Sequence, residues 1–297
     1  SYEDTELPAA PDVRINTSDP GAWSREVDQT VLLASEFALT EQWTLYGAAG
    51  RSDWTYKAAE MTTVVRNRSG DSERALYGFN TDVDRQSYRV GIRGRLQTGP
   101  VAHRLVVNAD RYRAVQREGY TTTQLADGNI YVPVSGAATA LWLPSRPYGS
   151  SEAVWGQKLN ATFDSLALAD TVSLLGERLQ FVLGVRHQRI RQVRHDAEGE
   201  LDTVYDRKAL TPTIAAIGKL SPRWSVYGNV IQGLSQGDTA PTADEYPDLV
   251  NPGAMLAPYK TRQKELGLKF DGGRVGATLS AFRIEKPSAT VGADNVF

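Results

Sequence analysis

Thr261-Arg-Gln-Lys-Glu-Leu-Gly-Leu-Lys-Phe270, the turn Asp271-Gly272-Gly273, then Val275-Gly-Ala-Thr-Leu-Ser-Ala-Phe-Arg-Ile284: this stretch reads as a β-hairpin. Leu266, Leu268 and Phe270 alternate with Glu265, Gly267 and Lys269, the period of two that sends successive side chains to opposite faces of a strand. One face is apolar and the other is not. The same construction precedes it, with Ala209 to Leu220, a tight Ser221-Pro222-Arg223 turn, and Trp224 to Gln236. A long polar loop joins the two hairpins, so short turns at one end alternate with long loops at the other.

Working back along the chain, Gln86 to Leu96 is the clearest strand: Tyr88, Val90, Ile92 and Leu96 share one parity, and Arg89, Arg93 and Arg95 share the other. On the lipid face of a barrel an arginine costs about 2 to 4 kcal/mol at the bilayer midplane, which assigns the arginine parity to a lumen and the aliphatic parity to the outside. Gln97-Thr-Gly-Pro100 turns the chain, and Val101 to Tyr112 returns with Leu105, Val107 and Ala109 opposed to Arg104, Asn108 and Asp110. Asp28 to Leu39 and Trp43 to Tyr56 form an earlier hairpin across Thr40-Glu-Gln, and the chain then runs into a polar stretch through Asn67-Arg-Ser-Gly-Asp71. Lys158 to Val172, the Leu175-Gly-Glu177 turn and Leu179 to Arg194 form another, closed outside by Asp196-Ala-Glu-Gly199. Residues 1 to 26 read as the end of a long loop. About ten strands result, an antiparallel up-and-down rhythm of tight turns and long loops that belongs to an all-β transmembrane barrel.

Composition excludes other classes. The longest apolar runs, such as Val31-Leu-Leu-Ala and Phe181-Val-Leu, fall far short of the roughly 20 residues a membrane helix needs. A mean hydropathy of -0.38 does not argue against a barrel, because lipid-facing and lumen-facing residues average out. With 33 basic and 35 acidic residues, no bulk attraction to nucleic acid is expected. There is no cysteine and only His103, His187 and His195, so no disulfide, thiolate or His/Cys metal site is expected. No Gly-x-Ser-x-Gly elbow or other catalytic constellation occurs, and Asp196, Glu198, Glu200, Asp202 and Asp206 lack EF-hand spacing. An enzyme is not expected. Ser1 opens without a charged n-region and apolar h-region, so no signal peptide is read there.

Several segments resemble barrel strands of TonB-dependent ferric-siderophore receptors of Gram-negative outer membranes. They are Trp224-Ser-Val-Tyr-Gly, Gly233-Leu-Ser-Gln-Gly, Asn251-Pro-Gly, Pro258-Tyr-Lys-Thr-Arg-Gln-Lys-Glu-Leu-Gly-Leu-Lys-Phe and Ala281-Phe-Arg-Ile-Glu-Lys-Pro. Leu174-Leu-Gly-Glu-Arg-Leu-Gln-Phe-Val-Leu-Gly-Val-Arg-His-Gln and Thr98-Gly-Pro-Val-Ala-His-Arg-Leu are similar to earlier strands and turns, so the resemblance covers most of Trp43 to Lys286. It implies an outer-membrane receptor that binds ferric siderophore outside the cell and imports it with energy from the TonB complex. No cofactor is implied, since the siderophore itself satisfies the iron. Family barrels hold about 22 strands. Residues 1–297 are therefore expected to be one incomplete barrel domain, lacking a plug, the first strands and the C-terminal strands. Thr290-Val-Gly-Ala-Asp-Asn-Val-Phe, after Pro287, reads as an outer loop and not as a closing strand. The alternatives are a passive porin-like channel and a soluble β-rich interaction domain.

Three sets of side chains are candidates for function. The longest connection, Gly119 to Gly156, carries Tyr120, Tyr131, Trp142, Tyr148 and Trp155 with Arg146 nearby, a composition suited to holding a flat, partly apolar, anionic chelate. Trp43, Trp224, Tyr227, Tyr88 and Phe270 sit near strand ends, where barrels place aromatic girdles. The lumenal arginines are expected to be braced by carboxylates such as Asp110, Asp164 and Glu265. No catalytic or metal-binding residue is assigned.

Overall fold

The computed structural model of this chain describes residues 6–14, 16, 18–132, 156–195, 199–241 and 246–297. Its strands are β1 (Trp23–Ala38), β2 (Trp43–Val65), β3 (Asp71–Thr98), β4 (Val101–Gln124), β5 (Gly128–Asn129), β6 (Gly156–Leu174), β7 (Leu179–His195), β8 (Leu201–Lys219), β9 (Trp224–Ser235), β10 (Tyr259–Asp271) and β11 (Gly276–Glu285). All pair antiparallel in chain order along one sheet, except the two-residue β5, which pairs with the start of β3. Among the described residues β1 and β11 form the two edges and do not meet. The ten long strands expected from the sequence are all present; an autonomous small barrel closed by β1 against β11 is not.

Register carries the parity argument across the sheet. Phe37, Leu45, Ile92, Val107, Leu168, Val185 and Pro212 follow one another as directly opposed partners from β1 to β8, and every one is apolar. One residue along lies the row Glu36, Tyr46, Gly91, Asn108, Ala167, Arg186 and Thr211. A one-residue slip of any strand would exchange the two rows. Arg89, Arg93, Arg95, Arg104 and Arg186 share the polar face, while Val90, Ile92, Leu105, Val107, Leu183, Leu268 and Leu279 share the apolar one. That apolar face is unpartnered, with Val31 73% and Leu279 76% exposed.

The apolar belt has a definite height. Arg111, Asp164 and Arg189 are the first charges met on that face moving away from the tight turns on β4 and β7, and from Asp170 onward on β6. Each stands about ten residues from the turn end of its strand, close to the 9 to 11 residues a tilted membrane strand requires. On β10 and β11 charge comes sooner, at Lys264 and Arg283, whose long stems can carry their heads towards the interface. Beyond the belt the strands continue. β3 has 28 residues and β4 has 24, so the extended hairpins stand well clear of any bilayer.

The turns follow from local chemistry. Gly99, at φ 58°, precedes Pro100 in the two-residue β3–β4 connection, the arrangement of a type II′ turn. Close approach explains two other glycines: Trp43 lies across Gly94 and Tyr227 across Gly267, each directly opposite its aromatic in register, and a Cβ would overlap the ring.

Some sequence expectations change. Asn67 to Gly70 is not a polar stretch between separate hairpins but the tip of one long hairpin, β2–β3. The connection after Gly119 starts later, since β4 runs to Gln124. Residues 196–198 of the expected outer turn lie outside the described residues. The segment after Glu285 forms no strand; Asn251 clasps it, accepting from the Phe297 amide at 2.9 Å and donating to its carbonyl at 3.1 Å. In full-length protein reconstituted in lipid, a spin label at position 92 should be relaxed by dissolved oxygen, and one at position 93 by a water-soluble nickel chelate. Equal response at both sites would refute the facing.

Candidate functional site: the polar face beyond the belt

Near the tight turns the polar face is braced by ion pairs: Arg89–Asp110 at 2.5 Å, Arg93–Glu36 at 2.5 Å and Arg104–Glu177 at 3.2 Å. Asp110 therefore acts as expected. Asp164 does not, because its parity puts it on the apolar face, where it pairs with Arg111 at 2.6 Å. Glu265 is on the polar face but accepts from the Tyr227 hydroxyl at 2.5 Å and from Gln263 at 3.1 Å instead of from an arginine. The same bond removes Tyr227 from the aromatic girdle, since it points to the polar face. Trp43, Trp224 and Phe270 stay on the apolar face by the tight turns, the last two rings 4.8 Å apart, and Tyr88 is at the belt's far end. Arg95 and Arg186 have no ion-pair partner among the described residues.

Further up, the polar face becomes aromatic. Trp54 and Tyr56, two apart on β2, stack at 5.9 Å with planes 3° apart; Tyr77 and Phe79 on β3 do so at 6.2 Å and 15°. Tyr112 and Phe163 are directly opposed on β4 and β6, 5.9 Å apart. The Arg85 guanidinium lies 5.8 Å from the Trp54 ring centre, and the Trp54 indole donates to Glu26 at 2.5 Å. This tier can offer π-faces and a cation to a flat ligand.

The sequence-predicted residues divide. Tyr120 joins the tier, opposite Phe79 in register and 62% exposed. Tyr131 instead packs over Gly70 at the β2–β3 tip and donates to the Ala9 carbonyl at 2.7 Å. At that tip, hydrogen bonds from Asn67 and Asn129 hold the Asp71 carboxyl below the usual range. Trp142, Arg146, Tyr148 and Trp155 lie outside the described residues. The sequence reading missed Trp54, Tyr56, Tyr77, Phe79, Tyr112 and Phe163 as a set, although their shared parity was available once the strands were extended.

Across the same face, Gln192, Arg194, Thr203, Tyr205, Gly237 and Asp238 line a polar cavity of about 420 Å³. The β9–β10 loop roofs it: the Gly237 amide donates to the buried Tyr205 hydroxyl at 3.3 Å, and the Tyr259 hydroxyl donates to Asp238 at 3.0 Å. Partial burial and then the Asp238 carboxylate raise the Tyr259 phenol above its ordinary pKa, so it stays a donor. Among the described residues no three His, Cys, Asp or Glu side chains come together as metal ligands.

The family model for "TonB dependent receptor-like, beta-barrel" matches residues 3–295. The chain belongs to this family. The ferrichrome receptor FcuA of Yersinia enterocolitica is 27% identical over 300 aligned positions, which cover 99% of this chain and 38% of that protein. The ferric preacinetobactin receptor BauA of Acinetobacter baumannii superposes with a TM-score of 0.75 at 30% identity, over 96% of this chain and 41% of that one. The ferripyoverdine receptor of Pseudomonas aeruginosa, solved with ferripyoverdine, superposes at 0.72 with 16% identity, over 96% of this chain and 36% of that one, a likeness of fold alone. The chain spans about two fifths of the length of these receptors. Within this receptor fold, Tyr205→Phe should speed hydrogen exchange at the Gly237 amide several-fold, since a net hydrogen bond is worth about 0.5 to 1.5 kcal/mol. Unchanged exchange would mean that other contacts hold the loop.

Proposed function

We propose that this chain is part of the wall of an outer-membrane receptor that binds a ferric siderophore on the extracellular side and imports it with energy from the TonB complex. The aromatic tier with Arg85, placed on the polar face beyond the membrane-height belt, is the observation that carries the reading. A chelate there meets stacked π-faces and the Arg85 guanidinium, which favours a net negative charge. The iron is cargo whose coordination the siderophore satisfies, so the receptor needs no metal ligand or cofactor of its own and performs transport, not catalysis. With Tyr120 in the tier, the loop residues Trp142, Arg146, Tyr148 and Trp155 would complete the mouth. Tyr131 would brace it from the hairpin tip.

The unpaired edges of β1 and β11 support the view that further strands complete the barrel, because a bare edge in hydrocarbon leaves amides and carbonyls unsatisfied at several kcal/mol each. Energy transfer would pass through a plug held in that larger barrel. In the full-length receptor, replacing Trp54 and Phe79 with Ala should raise the Kd for the cognate ferric siderophore about tenfold, a hot-spot-sized loss. Trp142→Ala with Tyr148→Ala should also weaken binding. Titration by fluorescence quenching reads both; unaltered affinity in both variants, or no saturable binding at all, would count against a siderophore site and for a passive channel.

A further inference from the structure

We propose that the receptor wall opens sideways between β8 and β9, at the outer surface of the membrane, and that the opening admits a ferric chelate whose head carries a fatty-acyl chain. The β8–β9 ladder runs only from Lys219 and Ser225 to Thr213 and Ile231, although β8 continues to Leu201 and β9 to Ser235. From there on β8 is bonded only to β7, and β9 only to β10. Pro212, the first residue of β8 past the ladder, has no N–H with which to extend it. Away from the tight turns, every other ladder between neighbouring long strands continues, to within one residue, until one of its strands ends. Only β8 and β9 part while both go on.

What lies on either side selects the ligand. Thr213 is the seventh residue from the turn end of β8 and the belt runs about ten, so the opening straddles the belt's far edge, where water can satisfy the freed backbone groups. On the lipid side Phe181, Ala216, Gly228, Leu266 and Ala281 are directly opposed in one row. The small residues of that row leave an apolar groove of about 710 Å³, which rises past Ile214 and Val230 to the opening. On the lumenal side the parted strands lead to the polar cavity of about 420 Å³, where Arg194 supplies a cation beside Thr203 and Tyr205, and the Arg207 guanidinium lies 5.6 Å from the Tyr205 ring centre. Between the two, Gly233 is on the lumenal face of β9, and no atom lies within 4 Å of the place where a side chain would start. An apolar path outside and a cationic cavity inside fit one molecule with an apolar tail and an anionic head. Over an unbroken wall such a ligand would have to draw its chain out of hydrocarbon, at a cost for every methylene. Through the opening the chain stays in the bilayer and the head alone enters the lumen.

The inference rests on the siderophore reading and names its substrate class. Full-length receptor in lipid nanodiscs would be titrated with ferric hydroxamate, catecholate and hydroxycarboxylate chelates, each with and without a dodecanoyl chain. For the chelate it accepts, the parent should bind the acylated form at least as tightly as the chain-free one. Gly233→Trp, which fills the opening, should weaken binding of the acylated form by about tenfold or more and leave the chain-free form unchanged, because the chain must then leave the bilayer. Gly233→Ala should change neither. A measurement that needs no blocking variant is the distance from a nitroxide on the acyl chain to a spin label at position 230 or 45: the chain should lie close to the first and far from the second. Rejection of the acylated form by the parent, equal loss of both forms in Gly233→Trp, undiminished binding of the acylated form by that variant, or a chain no nearer position 230 than position 45 would overturn the opening and leave the siderophore reading standing. No saturable binding of any chelate, acylated or not, would overturn both.

Discussion

Backbone amides and carbonyls in hydrocarbon have no water to turn to, so each must find its partner on the neighbouring strand. The antiparallel ladder of this chain meets that demand from β1 to β11, and its register then dictates everything placed upon it. Because side chains alternate with a period of two, fixing the hydrogen bonds of one strand fixes which residues of the next share its face. The seven-residue apolar row from Phe37 to Pro212 and the polar row beside it are two consequences of one set of backbone bonds.

Charge is distributed under the same rule. Arginine on the polar face costs little, since water and carboxylates such as Glu36 and Asp110 are at hand. On the apolar face of β4 to β8, ion pairs involving arginine begin near the tenth residue from the turns, at Arg111–Asp164 and Arg189–Asp206, whereas Arg51, paired with Asp84, and Arg283, paired with Glu285, stand somewhat nearer the turns. The change follows the change of solvent there. Below it an exposed cation pays desolvation; above it the same side chain is merely a surface group, and such pairs add little to stability. The pairs mark the boundary more than they hold the sheet.

Past that boundary both faces are wet, and strand length is no longer governed by membrane thickness. The long β2, β3 and β4 use the freedom to raise an aromatic wall above the belt. Rigid strands hold Trp54, Tyr77, Phe79 and Tyr112 more firmly than a loop could.

Within the belt, the sequence by itself determined the number of long strands, their order and the facing of nearly every residue from Asp28 to Ile284. Alternation is strongest there because one face meets lipid and the other water, so each strand writes its own facing into its residue types. Outside the belt that contrast vanishes, and the sequence was silent or misleading: β2 was ended at Tyr56, β3 begun at Gln86 and β4 ended at Tyr112, against observed limits of Val65, Asp71 and Gln124. The aromatic tier stayed hidden as a set because Tyr77, Phe79 and Tyr120 fall outside the strands read from sequence, while Trp54, Tyr56, Tyr112 and Phe163 lie on strands that were read but whose mutual alignment was not. Asp164 and Tyr227 were misplaced by type, a carboxylate being taken for lumenal and an aromatic for interfacial, where parity alone decides. Pairing of Phe79 with Tyr120, of Tyr112 with Phe163 and of Arg189 with Lys208 depends on the alignment of distant strands, and that alignment exists only once the ladder has formed.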